Sequence, residues 1–401
     1  MNQIQTSPVQ ISRRSFMVGT SAMASGGLAL GLNLLSTSEA LAQSSDSTPE
    51  IGIWVVVKPD DTCVVRIVRS EMGQGTRTGL AQLVAEELEC DWSKITTESP
   101  TPGQNLKRKR AWGDMSTGGS RGIRTSQDYV RRGGAVARMM LMQAAANEWS
   151  VPVSELAVSN SVITHAASGR KITYGKVAAA ASQLPVPDMK AVVLKDPRNW
   201  KIAGKSFKRL DTANKLNGKL IYGIDLKMDG MLCASVMDCP VFGGKLISFD
   251  DSKVKTLRGV KAVVRVDATT VAVVADTWWR AKNALAQLPI VWDEGPNAKV
   301  NSAMIANHVR EGLTARGDYA GRKEGDAIYA VANAAKTVEA VYSTPFLSHA
   351  PMEPMNCTAR WTSDKAEVWV PTQNAEASLA VLAETAGLPL EKCEVYVTDL
   401  G

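Results

Sequence analysis

The chain has 401 residues, of which 45% are hydrophobic and 21% charged, with a formal net charge of +6. Its length predicts two or three domains, and its mild charge argues against a nucleic-acid partner. None of the six cysteines forms a C-x-x-C pair. That pattern excludes the usual spacings for zinc, thioredoxin-type and iron–sulfur sites and for covalent haem. We therefore expect any electron-transfer centre to lie on another subunit.

The N-terminal residues carry an export pattern. Arg13 and Arg14 are followed by an uncharged stretch that ends at Ser38 and by the small-residue site Ala40 to Ala42. This order predicts a twin-arginine signal peptide over residues 1–42 and a periplasmic protein that folds around a cofactor before export. A retained membrane anchor is the alternative, but Gly, Ser, Thr and Ala make the stretch only weakly hydrophobic.

The first folded segment begins with alternating apolar residues. The alternation over Ile51 to Val68, interrupted by the turn Lys58 to Asp61, predicts a β-hairpin. The glycine loop Glu71 to Gly75 follows. Apolar residues at helical spacing come next and predict a helix capped by Thr76 or Thr78.

A second loop rich in glycine, serine and threonine, Met115 to Ser120, precedes a helical stretch from about Ser126 to Trp149. The basic run Lys107 to Arg110 lies before this loop. It could dock an acidic partner or a phosphate, or form a solvated loop.

Residues 206–300 read as a small α/β module. A helix capped by Thr277, with Trp278, Ala281, Leu285 and Leu288 facing inward, is predicted between strands. The predicted strands are Leu220–Tyr222, Met231–Met237, Ala262–Val266, Val271–Ala275 and Ile290–Trp292.

Residues 301–401 begin with a short helix and a linker over Gly317 to Gly325. The pattern then predicts a helix at 375–386. Predicted strands lie near residues 336–343, 355–362, 366–371 and 394–398.

Four features carry candidate chemistry. Glycine loops at Gly73–Gly75 and Gly118–Ser120 precede helices, where bare backbone N–H groups attract anions, although a tight turn explains each equally simply. His349 lies in a proline-flanked segment and reads as a structural histidine. Gln373 ends a strand with a carboxamide that could meet a cofactor or cap the strand.

Together these segments resemble the large subunit of the molybdenum hydroxylases, the xanthine dehydrogenase and aldehyde oxidase family. The resemblance is strongest to isoquinoline 1-oxidoreductase β-subunits and membrane-associated aldehyde dehydrogenase large subunits. It rests on the E-M-G-Q-G run that starts at Glu71, the S-T-G-G-S run that starts at Ser116, and the module at 206–300. Met352-Glu353-Pro354 and Thr372-Gln373-Asn374 resemble the start of the family's second cofactor-binding region.

The resemblance implies an α+β fold in which partial molybdopterin-binding domains flank a small α/β hammerhead module. The implied segments are a first molybdopterin-binding segment at 51–205, the hammerhead at 206–300 and the start of a second region at 301–401. The implied cofactor is molybdopterin, in its cytosine dinucleotide form, with molybdenum. Its contacts would be Gly73, Gln74, Gly75, Gly118, Gly119 and Ser120 for the pterin and phosphates, and Gln373 for an oxo group of the metal.

The resemblance also implies a reaction and partners. Family members hydroxylate N-heteroaromatics or oxidise aldehydes with water as oxygen donor. Electrons would leave through a small [2Fe–2S] subunit, with a c-type cytochrome as a further acceptor, at the periplasmic side of the inner membrane. No protein side chain is expected to bind a metal directly.

The chain stops at Gly401, where the family continues into a glycine loop and, later, a glutamate general base. We therefore expect the catalytic base to lie beyond Gly401 and the chain to be an N-terminal fragment that is inactive alone. The alternative is a catalytically inert fragment that serves only as a partner-binding module.

Overall fold

The structure, a computed structural model, describes residues 49–315, 317 and 321–401. The predicted signal peptide and part of the predicted linker lie outside the described residues. The described chain forms two compact units, a larger one from residues 49–226 and 350–401 and a smaller one from residues 227–349. The predicted segment boundaries stay predictions, and residues 206–226 pack with the larger unit.

The larger unit begins with a four-stranded sheet in the order β1-β2-β3-β4. Its strands are β1 (Glu50–Ile51), β2 (Val55–Val57), β3 (Cys63–Arg66) and β4 (Ile95–Glu98). The antiparallel pair β2 and β3 confirms the predicted hairpin. The expected continuous first strand is wrong, because Gly52 adopts a positive φ of 70° and separates β1 from β2.

The parallel pair β3 and β4 is joined by the helix α1 (Thr76–Leu88), as the apolar spacing predicts. The predicted cap is wrong: the N-cap is Gly75 in the left-handed region. Three further helices follow in this unit, namely α2 (Pro102–Lys107), α3 (Arg121–Arg124) and α4 (Gln127–Trp149). α4 confirms the predicted helix and packs against α1.

Glycine lets α1 and α4 approach closely. A Cβ added at Gly134 would lie 2.5 Å from the carbonyl oxygen of Val84, and one at Gly133 would lie 2.6 Å from the ring of Trp54. The two glycines therefore sit inside a continuous helix because its neighbours leave no space for a side chain.

A three-stranded antiparallel sheet and two short helices complete this part of the larger unit. They are β5 (Leu156–Ser159), β6 (Val162–His165), β7 (Arg170–Thr173), α5 (Tyr174–Ala181) and α6 (Thr212–Leu216). The buried hydroxyl of Tyr174 donates to the carbonyl of Leu88 at 2.6 Å, which ties α5 to the end of α1.

The smaller unit has an antiparallel sheet in the order β10-β11-β8 and a two-stranded pair of β9 and β12. Its elements are β8 (Cys233–Asp238), β9 (Lys245–Phe249), β10 (Val260–Arg265), β11 (Thr270–Ala275), α7 (Trp278–Leu285), β12 (Ile290–Asp293), α8 (Ser302–Glu311) and α9 (Ala327–Ala332). Thr277 caps α7 as predicted, by accepting from the N–H of Arg280. Trp278 does not face inward, because half of it stays exposed, while Ala281 and Leu285 are buried.

The C-terminal part of the larger unit contains β13 (Thr358–Trp361), β14 (Ala366–Val370), α10 (Ala375–Ala386) and β15 (Cys393–Val397). β13 and β14 are antiparallel, whereas β14 and β15 are parallel and are joined by α10. Leu379 and Val395 are buried between α10 and the sheet. These elements confirm the prediction for residues 355–398, and the mixed α+β class is confirmed.

Two predicted strands are wrong. Tyr222 forms only an isolated bridge to Asp399, and residues Gly223–Asp225 turn instead, because Asp225 accepts from the N–H of Tyr222 at 3.1 Å. Residues 336–343 alternate in hydrophobicity but are exposed and pair with no strand of the described chain. Alternation alone does not form a strand, because the backbone groups need a neighbouring strand.

No helix in the described ranges combines the length and the apolar character that crossing a membrane requires.

Candidate functional site

The first predicted glycine loop is organised by its own acidic residue, Glu71. The Glu71 side chain is buried, and its Oε1 accepts from the backbone N–H groups of Gly73 at 2.9 Å and Gly75 at 3.0 Å. Its Oε2 accepts from the N–H of Arg77 in the first turn of α1 at 3.1 Å. A carboxylate therefore already occupies the anion-attracting start of α1, where the sequence predicted a phosphate.

An arginine from a distant segment holds the same carboxylate. Nη2 of Arg209 donates to Glu71 at 2.9 Å, and Nη1 donates to the carbonyl of Gly73 at 2.7 Å. Asp211 accepts from Arg209 and from Lys215, at 2.7 Å and 2.6 Å. Burial by itself would raise the pKa of Asp211, but Arg209 and Lys215 outweigh it and hold that pKa well below its ordinary value.

Gln74 closes the tip of this loop. Its Oε1 accepts from the N–H of Met72 at 2.7 Å, and its Nε2 donates to the carbonyl of Ser70 at 3.0 Å. Gly73 and Gln74 are exposed, and a Cβ added at Gly73 would meet no atom within 4 Å. The loop therefore presents an open outer face, while its inner N–H groups are used by Glu71.

The second loop is framed by an ionic cluster. Asp114 accepts from the N–H and hydroxyl of Ser116 at 2.9 Å and 3.0 Å, and from Arg121 at 3.2 Å. The buried guanidinium of Arg69 donates to Asp114, to the carbonyl of Ser116 and to the hydroxyl of Ser126. Burial acts to raise the pKa of Asp114, but Ser116 and the arginines outweigh it and lower that pKa. The cluster fixes both ends of the loop.

The backbone N–H groups of Gly118, Gly119 and Ser120 stay open. None of them donates to any residue of the described chain. Gly119 and Ser120 have φ values of 55° and 56°, and a Cβ added at Gly118 or Gly119 would meet no atom within 4 Å. Successive N–H groups in such a turn form a concave nest that suits an anion.

Gln373 lies directly beside this second loop. The N–H of Thr117 donates to the carbonyl of Gln373 at 2.7 Å, and Nε2 of Gln373 donates to the carbonyl of Thr117 at 2.9 Å. The next residue, Asn374, caps α10 by accepting from Ala377 at 3.1 Å. The carboxamide of Gln373 thus caps the strand end, and its Oε1 has no hydrogen-bond donor among the described residues.

The first loop joins the same cluster through Ser70. The N–H of Ser70 donates to the hydroxyl of Thr117 at 2.9 Å, and its hydroxyl donates to the carbonyl of Thr372 at 2.8 Å. Arg77 on α1 forms an ion pair with the buried Asp399. Three chain segments, around residues 70–77, 114–120 and 372–374, therefore meet at one place, as the candidate list from sequence requires.

Glu353, from the run that resembles a cofactor region, has a structural partner set. Its carboxylate accepts from the N–H groups of Ile224 at 3.0 Å and Gly401 at 2.9 Å, and from the amide of Asn356 at 2.9 Å. The segment therefore fastens the final residues to the turn after Tyr222.

Two other sequence candidates are placed away from this cluster. Arg108 of the basic run donates to both oxygens of Glu50, at 2.6 Å and 3.0 Å, and Arg110 donates to Glu376 at 2.9 Å. These two arginines hold the fold, and so the interpretation as a docking site for an acidic partner weakens. His349 is exposed in a segment without regular structure.

Sequence reasoning missed Glu71, Arg209 and Thr117 as organising residues. Glu71 had a signal, since an acid two residues before a glycine can fold back onto the loop N–H groups. Arg209 and Thr117 had none, because their partners are remote in sequence. Among the described residues, no cluster of three His, Cys, Asp or Glu side chains is arranged to hold a metal ion.

Two family models match the chain. Both are described as the molybdopterin cofactor-binding domain; one matches residues 18–223 and the other residues 312–401. The glycine loops at 73–75 and 118–120 fall in the first match, and Gln373 falls in the second.

Curated relatives are similar along most of the chain. The beta subunit of isoquinoline 1-oxidoreductase from Brevundimonas diminuta is 27% identical, with 98% of this chain and 55% of the relative covered. A membrane-bound aldehyde dehydrogenase [pyrroloquinoline-quinone] of Gluconacetobacter polyoxogenes is 29% identical, with coverages of 95% and 50%. A nicotinate dehydrogenase polypeptide of Pseudomonas putida, itself named as one subunit, is 27% identical, with coverages of 83% and 28%. The chain spans about half the length of the first two relatives and less of the third.

Solved structures give weaker similarity. Quinoline 2-oxidoreductase from Pseudomonas putida 86 aligns with a TM-score of 0.38 and 21% identity, over 49% of this chain and 30% of that one. Aldehyde oxidoreductase from Desulfovibrio gigas aligns with a TM-score of 0.36 and 20% identity, over 56% and 30%.

Proposed function

We propose a function from one premise: the chain belongs to the molybdenum hydroxylase family, as one of its molybdopterin-binding large subunits. On this premise the larger unit binds a molybdenum–molybdopterin cofactor, in its cytosine dinucleotide form, and the protein serves as the large subunit of an oxidoreductase. The observation that carries the proposal is the open nest of backbone N–H groups at Gly118–Ser120 beside Gln373.

The nest fits a phosphate or pyrophosphate group of such a cofactor. The N–H groups of Gly118, Gly119 and Ser120 have no acceptor within the described ranges, and neither glycine has an atom within 4 Å of an added Cβ. An anion can therefore approach the backbone closely, as nests of this kind allow. The Arg121 and Arg124 side chains bond to the carbonyls of Gly118 and Gly119 at 3.1 Å and 3.0 Å, which places positive charge behind the turn.

The first loop fits in a different way. The N–H groups of Gly73 and Gly75 already donate to Glu71, so they do not serve a phosphate. What the loop offers is the exposed backbone at Gly73 and the exposed Gln74. We assign this outer face to contact with the flat pterin rings.

Gln373 would lie towards the metal. One N–H of its carboxamide is used by Thr117, which leaves the second N–H and the Oε1 for a ligand. When bound, molybdenum in this family supplies oxidation of a small organic substrate with water as the source of oxygen. The part of this chain is to hold the cofactor and to orient one amide towards it.

The substrate class and partners follow from the relatives' names. These name isoquinoline, aldehyde and nicotinate, and so we propose N-heteroaromatics such as isoquinoline, or aldehydes, as substrates. Two of the three relatives are named as one subunit of their enzyme, which supports a separate small subunit for this chain. We propose that this partner carries the [2Fe–2S] centre and passes electrons to a c-type cytochrome. We further propose export by the twin-arginine route to the periplasm, and a hammerhead arrangement for the module at 206–300.

The test is cofactor content with a matched pair of variants. The purified chain, expressed with molybdate and with the candidate small subunit, is analysed for molybdenum by mass spectrometry and for nucleotide released from the pterin. Gly118→Leu fills the nest, and it does so without backbone strain because Gly118 is outside the left-handed region. Gly317→Leu is the control, since it too has no atom within 4 Å and no positive φ.

We expect molybdenum in the wild type and in Gly317→Leu, and at least about tenfold less in Gly118→Leu, since a displaced anion loses several charge-assisted hydrogen bonds. Dye reduction with isoquinoline and with an aldehyde then distinguishes the substrates. Purified protein with quinone but no molybdenum would contradict the proposal, as one relative's name includes pyrroloquinoline-quinone. Protein without either cofactor would favour a partner-binding role.

A further inference from the structure

A carboxylate from the chain itself occupies the start of α1. This helix has 13 residues, and its N-cap, Gly75, has no side chain with which to satisfy the first N–H groups. Glu71 supplies the missing acceptor: Oε1 serves Gly73 and Gly75, and Oε2 serves Arg77. The side chain is only 1% exposed, so water does not compete for these bonds.

Arg209 holds the carboxylate and the loop at the same time. One nitrogen, Nη2, donates to Glu71 at 2.9 Å, and the other, Nη1, donates to the carbonyl of Gly73 at 2.7 Å. Its Nε donates to Asp211 at 3.0 Å, and Asp211 also accepts from Lys215. The two acids and the two bases balance in charge, which is what allows Glu71 to stay buried as a carboxylate.

The same contacts decide how the loop can be used. A phosphate that bound to the N–H groups of Gly73, Gly75 and Arg77 would have to displace Glu71 and would leave that buried charge beside it. Two anions so close repel each other strongly in a buried site. The loop is therefore a rigid wall whose shape is set from inside, and its outer face is what a ligand meets.

We propose that Glu71 is a positioning residue for the cofactor loop 72–75, and that Arg209 is its partner in this role. This inference rests on the proposed function for its ligand but not for its structural part. Without the Glu71 carboxylate, the three N–H groups lose their acceptor and the loop loses the single shape that faces the cofactor.

The experiment compares Glu71→Gln with Glu87→Gln. The substituted amide keeps the size of Glu71 but replaces one acceptor oxygen with a donor that opposes the loop N–H groups. Glu87 is a matched control because it is fully buried, and it accepts from Arg131 at 2.9 Å and from the N–H of Lys195 at 3.1 Å, both away from the loop. Arg209→Met is a second variant at a side chain that is 34% exposed, so its folding is less at risk.

Two readouts are taken on the full chain. Hydrogen–deuterium exchange of the peptide that spans residues 70–78 reports the loop, and molybdenum per chain reports the cofactor. We expect exchange in Glu71→Gln to rise about tenfold or more, because hydrogen bonds to a charged acceptor are lost. Arg209→Met should show a smaller rise. Molybdenum should fall in both, whereas Glu87→Gln should lower only the melting temperature.

The outcomes separate the two ideas. Unchanged exchange at 70–78 in Glu71→Gln overturns the positioning role, whatever the molybdenum content. Faster exchange with full molybdenum overturns the link to the cofactor. If the wild type itself holds no molybdenum, the proposed function fails, and the exchange comparison still decides whether Glu71 sets the loop.

Discussion

Thr117 and Gln373 exchange two hydrogen bonds although 256 residues separate them. The N–H of Thr117 donates to the carbonyl of Gln373 at 2.7 Å, and the Gln373 carboxamide donates back to the carbonyl of Thr117 at 2.9 Å. This reciprocal pair joins the second glycine loop to the end of β14. It makes Gln373 both a cap for the loop and the nearest free amide to it.

The first prediction concerns that amide. Gln373→Ala removes one of the two hydrogen bonds and should lower the free energy of unfolding by about 1 kcal/mol. In the enzyme assembled with its partner subunit, turnover should fall roughly 10²-fold, as when one donor aimed at developing charge is lost. Urea denaturation and dye reduction measure the two effects.

Gln287→Ala is the control, because Gln287 also donates through Nε2 to a backbone carbonyl, that of Asn283, at 2.9 Å. It should lose stability at most to a similar extent and keep its turnover. Full turnover by Gln373→Ala with normal molybdenum would leave Gln373 with the capping role alone.

The second prediction concerns the contact between α1 and α4. Gly134→Ala should lower the free energy of unfolding by about 1–3 kcal/mol, because the added Cβ would lie 2.5 Å from the carbonyl oxygen of Val84. This cost exceeds the gain of about 0.5–1 kcal/mol that alanine normally brings to a helix interior. Chemical denaturation provides the measurement.

Gly79→Ala on α1 serves as the comparison. There the nearest atom is Cδ1 of Ile123 at 3.1 Å, the end of a partly exposed side chain that can move aside. It should be neutral or stabilising. Equal effects at Gly134 and Gly79 would mean that the helices shift apart readily, against the close packing described here.

The third prediction is a pH dependence. Arg209 and Lys215 hold the pKa of Asp211 below its ordinary value of 3.8, in spite of burial. A lowered folded-state pKa stabilises the protein above the unfolded pKa, and that contribution is lost as pH falls through the folded value. The stability difference between wild type and Asp211→Asn should therefore be largest near neutral pH and shrink below about pH 4.

Denaturation at a series of pH values tests this trend. Asp229→Asn removes an exposed carboxylate and should give a difference that hardly changes with pH. A constant difference for Asp211→Asn as well would show that the ion pairs with Arg209 and Lys215 contribute nothing through protonation.

The fourth prediction concerns export. Replacing Arg13 and Arg14 with lysine should keep the protein in the cytoplasm and uncleaved, because lysine does not reproduce the paired guanidinium groups. Cell fractionation and N-terminal sequencing are the assays, and Arg322→Lys, at an exposed arginine, is the control. Periplasmic protein beginning at Gln43 in the double variant would rule out this route.

Local patterns predicted the elements that depend on local chemistry. The hairpin of β2 and β3 followed from alternation with a turn between, and α1 and α10 followed from apolar residues at helical spacing. Thr277 was predicted as a cap because threonine at that position needs only the next three residues. The positions of the glycine loops were predicted from composition and family resemblance.

Other features depend on residues remote in sequence and could not be predicted. Glu71 takes the place expected for a ligand because Arg209, 138 residues away, neutralises it. The segment at 336–343 has the alternation of a strand but pairs with no strand of the described chain. Gly75 displaced the threonines as the cap of α1 because the loop needs a left-handed residue at that point.

The pairing of Thr117 with Gln373 has a consequence for synthesis. Chains grow at about 5–20 residues per second, so Gln373 emerges about 10–50 seconds after Thr117. Throughout that interval the loops at 70–75 and 114–120 exist without the third segment, and Ser70 waits for the carbonyl of Thr372. A nascent chain therefore offers its glycine loops to the cytoplasm well before the wall beside them can form.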